Sequence, residues 1–146
     1  MSLTTEQIEL IRSSWARVVP ISAMASQLFY ARLFKIAPET EPLFRSDLEE
    51  QGRKLMESLT FIVDHLDQID ELTKAAEALA LRHLKYGVTA DQYAPVGEAL
   101  VWTMGHLLGP AFRAQQREAW LVAYALLSNH MITCAYSEAP RSASSA

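Results

Sequence analysis

The sequence predicts an all-α protein, and three observations lead to that fold class. Apolar residues recur every three or four positions over several long stretches, as they do on the buried face of a helix. No stretch alternates polar and apolar residues with the period of two that is typical of a half-buried strand. The chain has only 6 prolines and 5 glycines, and most fall between the periodic stretches, where helices end. We therefore expect about seven or eight helices.

Turn and cap residues place the predicted helices along the chain. Thr4 and Gln7 have the spacing of a capping box before the first helix. Pro20 opens the second helix and Pro38 ends it. A polar turn at 67–71 makes the helices on either side of it antiparallel neighbours. The helices after the first are predicted at 21–36, 48–66, 72–83, 93–108 and 115–136.

Composition limits the class of protein. A chain of 146 residues, half of them hydrophobic, suits one domain, which we expect over 1–136 with a disordered tail at 137–146. The net charge of −4, without a basic cluster, argues against a nucleic-acid partner. No apolar run approaches the roughly 20 residues of a membrane span, and the N-terminus lacks a signal-peptide pattern. The single cysteine, Cys134, excludes an internal disulfide and fits a cytoplasmic location.

His83 is the residue that points most strongly to chemistry. It continues the apolar stripe of the 72–83 helix, one turn after Leu79, so its imidazole is predicted to face the interior. An unpaired polar group in an apolar site costs roughly 1–3 kcal/mol, so either a hydrogen-bond acceptor or a metal must lie there. Taken alone, a histidine of this kind is more often a paired core residue than a ligand.

A second group of residues changes that balance. Gln51 and His83 are predicted at similar depths, roughly 22 and 17 Å from the turn that joins their helices, with Leu55 between them. A gap with an imidazole on one wall and an amide on the other suits a flat ligand that carries an axial metal. Tyr30 lies on a helix that is apolar on nearly all sides, so its hydroxyl needs a partner. The alternative interpretations remain that Tyr30 is a core tyrosine and that Gln51 is an exposed polar residue.

The order and spacing of several motifs carry a resemblance to a known family. These motifs are FYARLF at 29–34, PLF at 42–44, QGRKLM at 51–56, RHLKYGV at 82–88, VGEAL at 96–100 and AWLVAY at 119–124. The chain resembles the bacterial single-domain globins of the Vitreoscilla type and the haem domains of flavohaemoglobins. The resemblance implies a globin fold with a 3-over-3 helical arrangement around haem b, iron protoporphyrin IX.

The resemblance also implies a role for each residue of the site. His83 matches the proximal ligand of the haem iron, and Phe44 matches the phenylalanine that packs against the porphyrin. Tyr30 and Gln51 match the distal residues that donate hydrogen bonds to a bound ligand. Leu55 matches the distal apolar residue that lies over the iron. The resemblance also places Val88 and Tyr93 on the proximal side of the cofactor. Leu79 is predicted to line the apolar gap between Gln51 and His83. Lys54 lies at the pocket entry, where it either pairs with a haem propionate or belongs to the solvated surface.

The function implied is reversible O₂ binding at a five-coordinate ferrous iron, with NO and CO as further ligands and no catalytic residue assigned. The alternative is a nitric oxide dioxygenase that works with a separate reductase. Tyr124 matches the tyrosine of a hydrogen-bond network behind the proximal histidine, but the glutamate of that network is replaced by Ala135. A carboxylate there would make the imidazole more electron-donating, so its loss counts against redox turnover.

The remaining histidines are predicted at the surface or the rim of the pocket. His65 lies about four turns beyond Gln51, too far along its helix to reach the same site. His106 and His130 neighbour the apolar stripes of their helices without belonging to them. Cys134 is placed on the buried face of the last helix and is expected to be an inert core thiol.

Overall fold

A computed structural model describes residues 3–44, 47–85 and 87–145, with side chains as far as Ala135. Its helices are α1 Thr5–Val18, α2 Ser22–Ile36, α3 Leu48–Asp64, α4 Ile69–Lys85, α5 Tyr93–Leu108 and α6 Ala114–Ser145. No strand occurs in these ranges, so the all-α prediction is confirmed. None of the helices found there is long and apolar enough to cross a membrane.

The helix count is lower than predicted, because several connections are 3-10 turns instead of further α-helices. They are Val19–Ile21, Pro38–Leu43, Ala90–Gln92 and Gly109–Ala111. Three of the four carry a proline in their first two positions, where its missing N–H costs no hydrogen bond. The described part of the chain thus contains six α-helices, against the seven or eight expected.

The ends of the helices follow the local sequence closely. The Thr4–Gln7 capping box is present, with both hydrogen bonds at 3.0 Å. α4 begins at Ile69, three residues earlier than predicted, because Asp70 and Glu71 form an acidic first turn that suits the helix dipole. α6 runs on to Ser145, so the structure shows no break at residue 136, and the division into a domain and a tail stays a prediction.

The apolar side chains form two separate clusters. The larger one, called here the main core, lies among α1, α2, α3, α5 and the start of α6. The smaller one, called the α4–α6 cluster, has five buried members and several partly buried ones around them. The buried members are Ala76, Ala80, Tyr93, Met131 and Ala135. The pocket residues that the sequence predicted are therefore divided between two clusters and not gathered in one.

Polar contacts tie α3 to α1, and α3 has few contacts with α4 although the two helices are consecutive. Trp15 Nε1 donates to Thr60 Oγ1 at 3.0 Å, which ties α3 to α1. Arg12 of α1 donates to the carbonyl of Val63 at 3.2 Å and that of Asp64 at 3.0 Å, where its positive charge suits the C-terminal end of the α3 dipole. α4 packs mainly on α6 instead. The prediction that the turn at 67–71 makes α3 and α4 packed neighbours is therefore wrong for the described part of the chain, although Leu72 of α4 still packs against the main core.

Candidate functional site

His83 lies near the end of α4 with its imidazole half-buried. Its Nδ1 is 2.7 Å from the carbonyl of Leu79, one turn earlier in the same helix. Because a carbonyl only accepts, the proton belongs on Nδ1, which leaves a lone pair on Nε2. Burial lowers the pKa of His83, against the opposing effect of the Leu79 hydrogen bond, with a smaller lowering from Arg82. The residue is therefore a neutral imidazole with one nitrogen available as a metal ligand.

His65 shows that this hydrogen bond alone does not make a site. Its Nδ1 also lies 2.7 Å from a carbonyl one turn back, that of Phe61, but its ring stacks on the exposed Phe61 ring at 4.0 Å. His106 is exposed and stacks on Trp102 at 4.9 Å. Of these three histidines, only His83 adjoins the α4–α6 cluster: its ring is 6.0 Å from that of Tyr93, a buried member.

The surroundings of His83 are apolar and are built from three segments. Leu79 of α4 and Val88 lie at the margin of the α4–α6 cluster and are partly buried. The backbone N–H of Val88 donates to the carbonyl of His83 at 3.0 Å, so the chain turns back beside the imidazole directly after α4. Tyr93, at the start of α5, closes this side.

Tyr124 contacts Tyr93, whose ring lies beside His83, whereas the resemblance implied that Tyr124 itself lies behind the histidine. Its hydroxyl donates to the backbone carbonyl of Tyr93 at 2.5 Å, and its ring lies over Gly97. Burial raises the pKa of Tyr124, so it remains a neutral donor. The phenol ring beside His83 is that of Tyr93, and Tyr124 positions the backbone of Tyr93. Ala135 is buried in the same cluster, at 1% exposure, where a network glutamate was expected from the resemblance.

The second part of the candidate site contains Tyr30, which lies in a group of aromatic side chains at the edge of the main core. Its ring is 5.1 Å from that of Phe44, 5.2 Å from Phe29 and 5.9 Å from Phe34. Burial raises the pKa of Tyr30 to about 12, so the phenol keeps its proton and can donate.

Gly52 is a residue of this site that the sequence analysis missed. A Cβ at this position would lie 2.7 Å from Ser26 Oγ and 3.7 Å from Tyr30 Cε2. The glycine therefore lets α3 cross α2 directly above Tyr30. Its sequence signal was a glycine one residue after Gln51, inside a predicted helix. The crossing fixes the depth of Gln51, which is half-buried.

The remaining predicted residues lie at the margins of the two clusters. Phe44 and Leu55 are partly buried and pack against the main core, while Leu79 and Val88 pack against the α4–α6 cluster. Lys54 is exposed on α3 beside Leu55. A groove of about 730 Å³ between α2 and α3 also has Tyr30 in its lining.

Comparison with known proteins decides the family. The family model described as Globin matches residues 27–131. The chain belongs to the globin family. This globin is 31% identical over 133 residues to a flavohemoprotein of Vibrio cholerae, covering 89% of the chain and 34% of that protein. It therefore spans about a third of the length of that relative.

Relatives of similar length also exist. A neuroglobin of Chaenocephalus aceratus is 29% identical over 139 residues, covering 86% of the chain and 87% of the relative. An uncharacterized globin-like protein of Aquifex aeolicus is 28% identical over 131 residues, covering 90% of the chain and 93% of the relative. Both the fold and the resemblance expected from the sequence are thus confirmed.

The globin family implies a haem cofactor, and the residues of the two clusters fit one. His83 offers a neutral nitrogen whose tautomer is fixed by Leu79. The half-buried side chains of Phe44 and Leu55 in the main core, and of Leu79 and Val88 in the α4–α6 cluster, are apolar, as a porphyrin requires. Tyr30 adds a protonated donor on the side of the main core. The donor set therefore suits an iron porphyrin with one protein ligand.

Proposed function

We propose that this globin binds haem b through His83 and reversibly binds O₂ on the opposite face of the cofactor. The observation that carries the proposal is the state of His83, a neutral imidazole in apolar surroundings with Nδ1 held by the Leu79 carbonyl. Haem supplies an iron whose sixth position is open to a diatomic ligand when one histidine binds it. We also place the protein in the cytoplasm.

Tyr30 and Gln51 are proposed to retain the bound ligand. Burial raises the pKa of Tyr30, so its neutral phenol would donate a hydrogen bond to a polar diatomic ligand without titrating. The amide of Gln51, on the helix that crosses above Tyr30, supplies a second donor. NO and CO would enter the same space, but they are less polar when bound and would gain less from these donors.

The apolar residues are proposed to hold the porphyrin. Phe44 and Leu55 would contact its distal face, while Leu79, Val88 and Tyr93 would line the proximal face. Lys54, exposed beside Leu55, is placed to pair with a propionate at the solvent edge. Such a pair at the surface contributes little to affinity, so the main hold on the cofactor is apolar contact and His83.

A nitric oxide dioxygenase that works with a separate reductase is the second candidate function. It draws on the similarity to a flavohemoprotein, which covers about a third of that protein. Ala135 counts against it, because the buried position behind Tyr93 carries no carboxylate. Following NO consumption over many turnovers with a reductase present would separate the two functions, since a carrier stops after one turnover.

The absorption spectrum of the reduced haem-loaded protein tests the main proposal. We expect a Soret band that shifts when O₂ is admitted and returns when O₂ is removed, over repeated cycles. A protein that takes up no haem would contradict the proposal. So would one whose ferrous form is oxidised at each exposure without a stable oxygenated spectrum, because the site would then not serve reversible binding.

A further inference from the structure

We propose that Glu77, His130 and Cys134 form a binding site for one Zn²⁺ ion between α4 and α6. The potential ligand atoms of these three side chains all lie within 4.8 Å of one another. His130 Nε2 is 3.8 Å from Glu77 Oε2 and 3.6 Å from Cys134 Sγ. The site is separate from the haem pocket and independent of the function proposed above.

Two of the three separations between ligand atoms lie close to those of a tetrahedral zinc centre. Zinc binds sulfur at about 2.3 Å and nitrogen or oxygen at about 2.0–2.2 Å, which separates tetrahedral S and N ligands by about 3.5 Å and N and O ligands by about 3.3 Å. The two observed separations exceed these values by only a few tenths of an ångström. The ligand atoms of Glu77 and Cys134 lie within 4.8 Å of each other, and rotation of the exposed Glu77 side chain would bring its carboxylate closer to both partners.

The fold brings the three residues together through ordinary helix packing. His130 and Cys134 are four residues apart on α6, so they share one face one turn apart. Glu77 comes from α4, next to Ala76. The small side chains of Ala76 and Ala80 are buried against α6 and let the two helices approach closely. The site is therefore supported by rigid elements and not by a loop.

The chemistry of the ligands selects the ion. Thiolate, imidazole and carboxylate are the three side-chain ligands that zinc takes in proteins, whereas Ca²⁺ and Mg²⁺ prefer oxygen alone. The side chains of His130 and Glu77 are 41% and 51% exposed, so an ion can enter and a water can complete the fourth position. On binding, the Cys134 thiol releases its proton to solvent, and His130 binds through neutral Nε2.

The position of the site gives it a structural consequence. Glu77 lies on the same helix as His83, and Cys134 lies next to Ala135 at the back of the α4–α6 cluster. A bound ion would link α4 to α6 across that cluster. Because zinc would bind the folded chain in preference to the unfolded one, it would raise the temperature of unfolding.

Titration of the haem-loaded protein with zinc chloride tests the site. Calorimetry in two buffers of different protonation enthalpy should give one Zn²⁺ per chain and about one proton released, that of the thiol. Zinc K-edge absorption, which is separate from the iron edge, should show one sulfur at about 2.3 Å. Absence of stoichiometric binding, or a zinc centre without sulfur, would overturn the proposal.

Variants assign the ligands. Cys134→Ser and His130→Ala should each weaken zinc binding at least about tenfold, since even residues that only support a ligand contribute that much. His106→Ala, which removes an exposed histidine of α5, is the matched control and should leave affinity unchanged. An unchanged Soret band in each variant shows that the fold is intact. Equal losses in His106→Ala and His130→Ala would refute the assignment.

Discussion

The two groups of residues proposed to hold haem differ in composition. The side of His83 is made of small and apolar residues, with Ala76, Ala80 and Ala135 buried in the α4–α6 cluster. The side of Tyr30 is aromatic and carries polar groups that can donate. The first side has one nitrogen suited to iron, and the second has donors suited to a ligand of iron. In the proposed function, cofactor binding and ligand retention therefore depend on separate parts of the chain.

Each side nevertheless depends on a glycine at a helix crossing. Gly52 lets α3 approach α2. A Cβ at position 52 would lie 2.7 Å from Oγ of Ser26, which is a small side chain. Gly97 lets α6 approach α5. A Cβ at position 97 would lie 2.5 Å from Cε2 of the Tyr124 ring. That ring is held by its hydrogen bond to the Tyr93 carbonyl. The crossing on the His83 side therefore has less room to adjust.

The replacement of His83 by alanine gives the largest expected effect and breaks the His83 side alone. We expect His83→Ala to lose most of its haem, or to shift the Soret band through loss of the axial nitrogen, with the change restored by added imidazole. His65→Ala is the matched control, because it removes an imidazole with the same bond to a carbonyl one turn back. A Soret band of unchanged position and intensity in His83→Ala would remove His83 from the site.

The substitution Gly97→Ala is expected to have the next largest effect. The added methyl group would overlap the Tyr124 ring, and overpacking of this kind typically costs 1–3 kcal/mol. Urea unfolding should therefore show a loss of about 1–3 kcal/mol. Gly105→Ala on the same helix is the control, because its nearest neighbour outside the helix backbone is 3.6 Å away and alanine favours the helix. Equal stabilities would mean that α6 is free to move away.

The contact between Gly97 and Tyr124 also shows what the sequence does not predict. The helix at 93–108 was placed correctly, because Tyr93 and the Gly109-Pro110 break mark its ends locally. The contact between Gly97 and Tyr124 depends on how two distant helices cross, and no local pattern contains that angle. The same holds for the partner of Tyr124.

Cys134 shows a related limit. It was predicted on the buried face of the last helix, but the structure buries Ala135 and leaves Cys134 partly exposed beside His130. The two residues are one step of about 100° apart on the helix, which is within the width of an apolar stripe. His83, by contrast, is half-buried beside Tyr93, as its position on the apolar stripe predicted, while its role as an iron ligand stays a prediction.

Replacing Tyr30 by phenylalanine tests the other side of the pocket with the cofactor retained. We expect Tyr30→Phe to keep its haem and to release O₂ at least about tenfold faster, which corresponds to about 1.4 kcal/mol for one hydrogen bond to a charged acceptor. Stopped-flow displacement of O₂ by CO measures the rate. Tyr93→Phe, which changes a phenol on the His83 side, should alter the rate far less. An unchanged rate in Tyr30→Phe would make Tyr30 a core residue only.

The smallest effect concerns the protonation of Tyr30 in alkali. Since burial raises the pKa of Tyr30 from 10.0 to about 12, the native state keeps a proton that the unfolded state releases. The stability that this contributes is complete below pH 10 and is lost as pH rises from 10 through 12. At pH 10.5 the loss from this residue amounts to less than about 1 kcal/mol.

Urea unfolding at pH 9 and pH 10.5 should therefore show a smaller decline in the free energy of unfolding in Tyr30→Phe than in the parent protein. Burial also raises the pKa of Tyr124, so some decline should persist in the variant. Equal declines in the two proteins would mean that Tyr30 ionises as it does in water and is not enclosed by the main core.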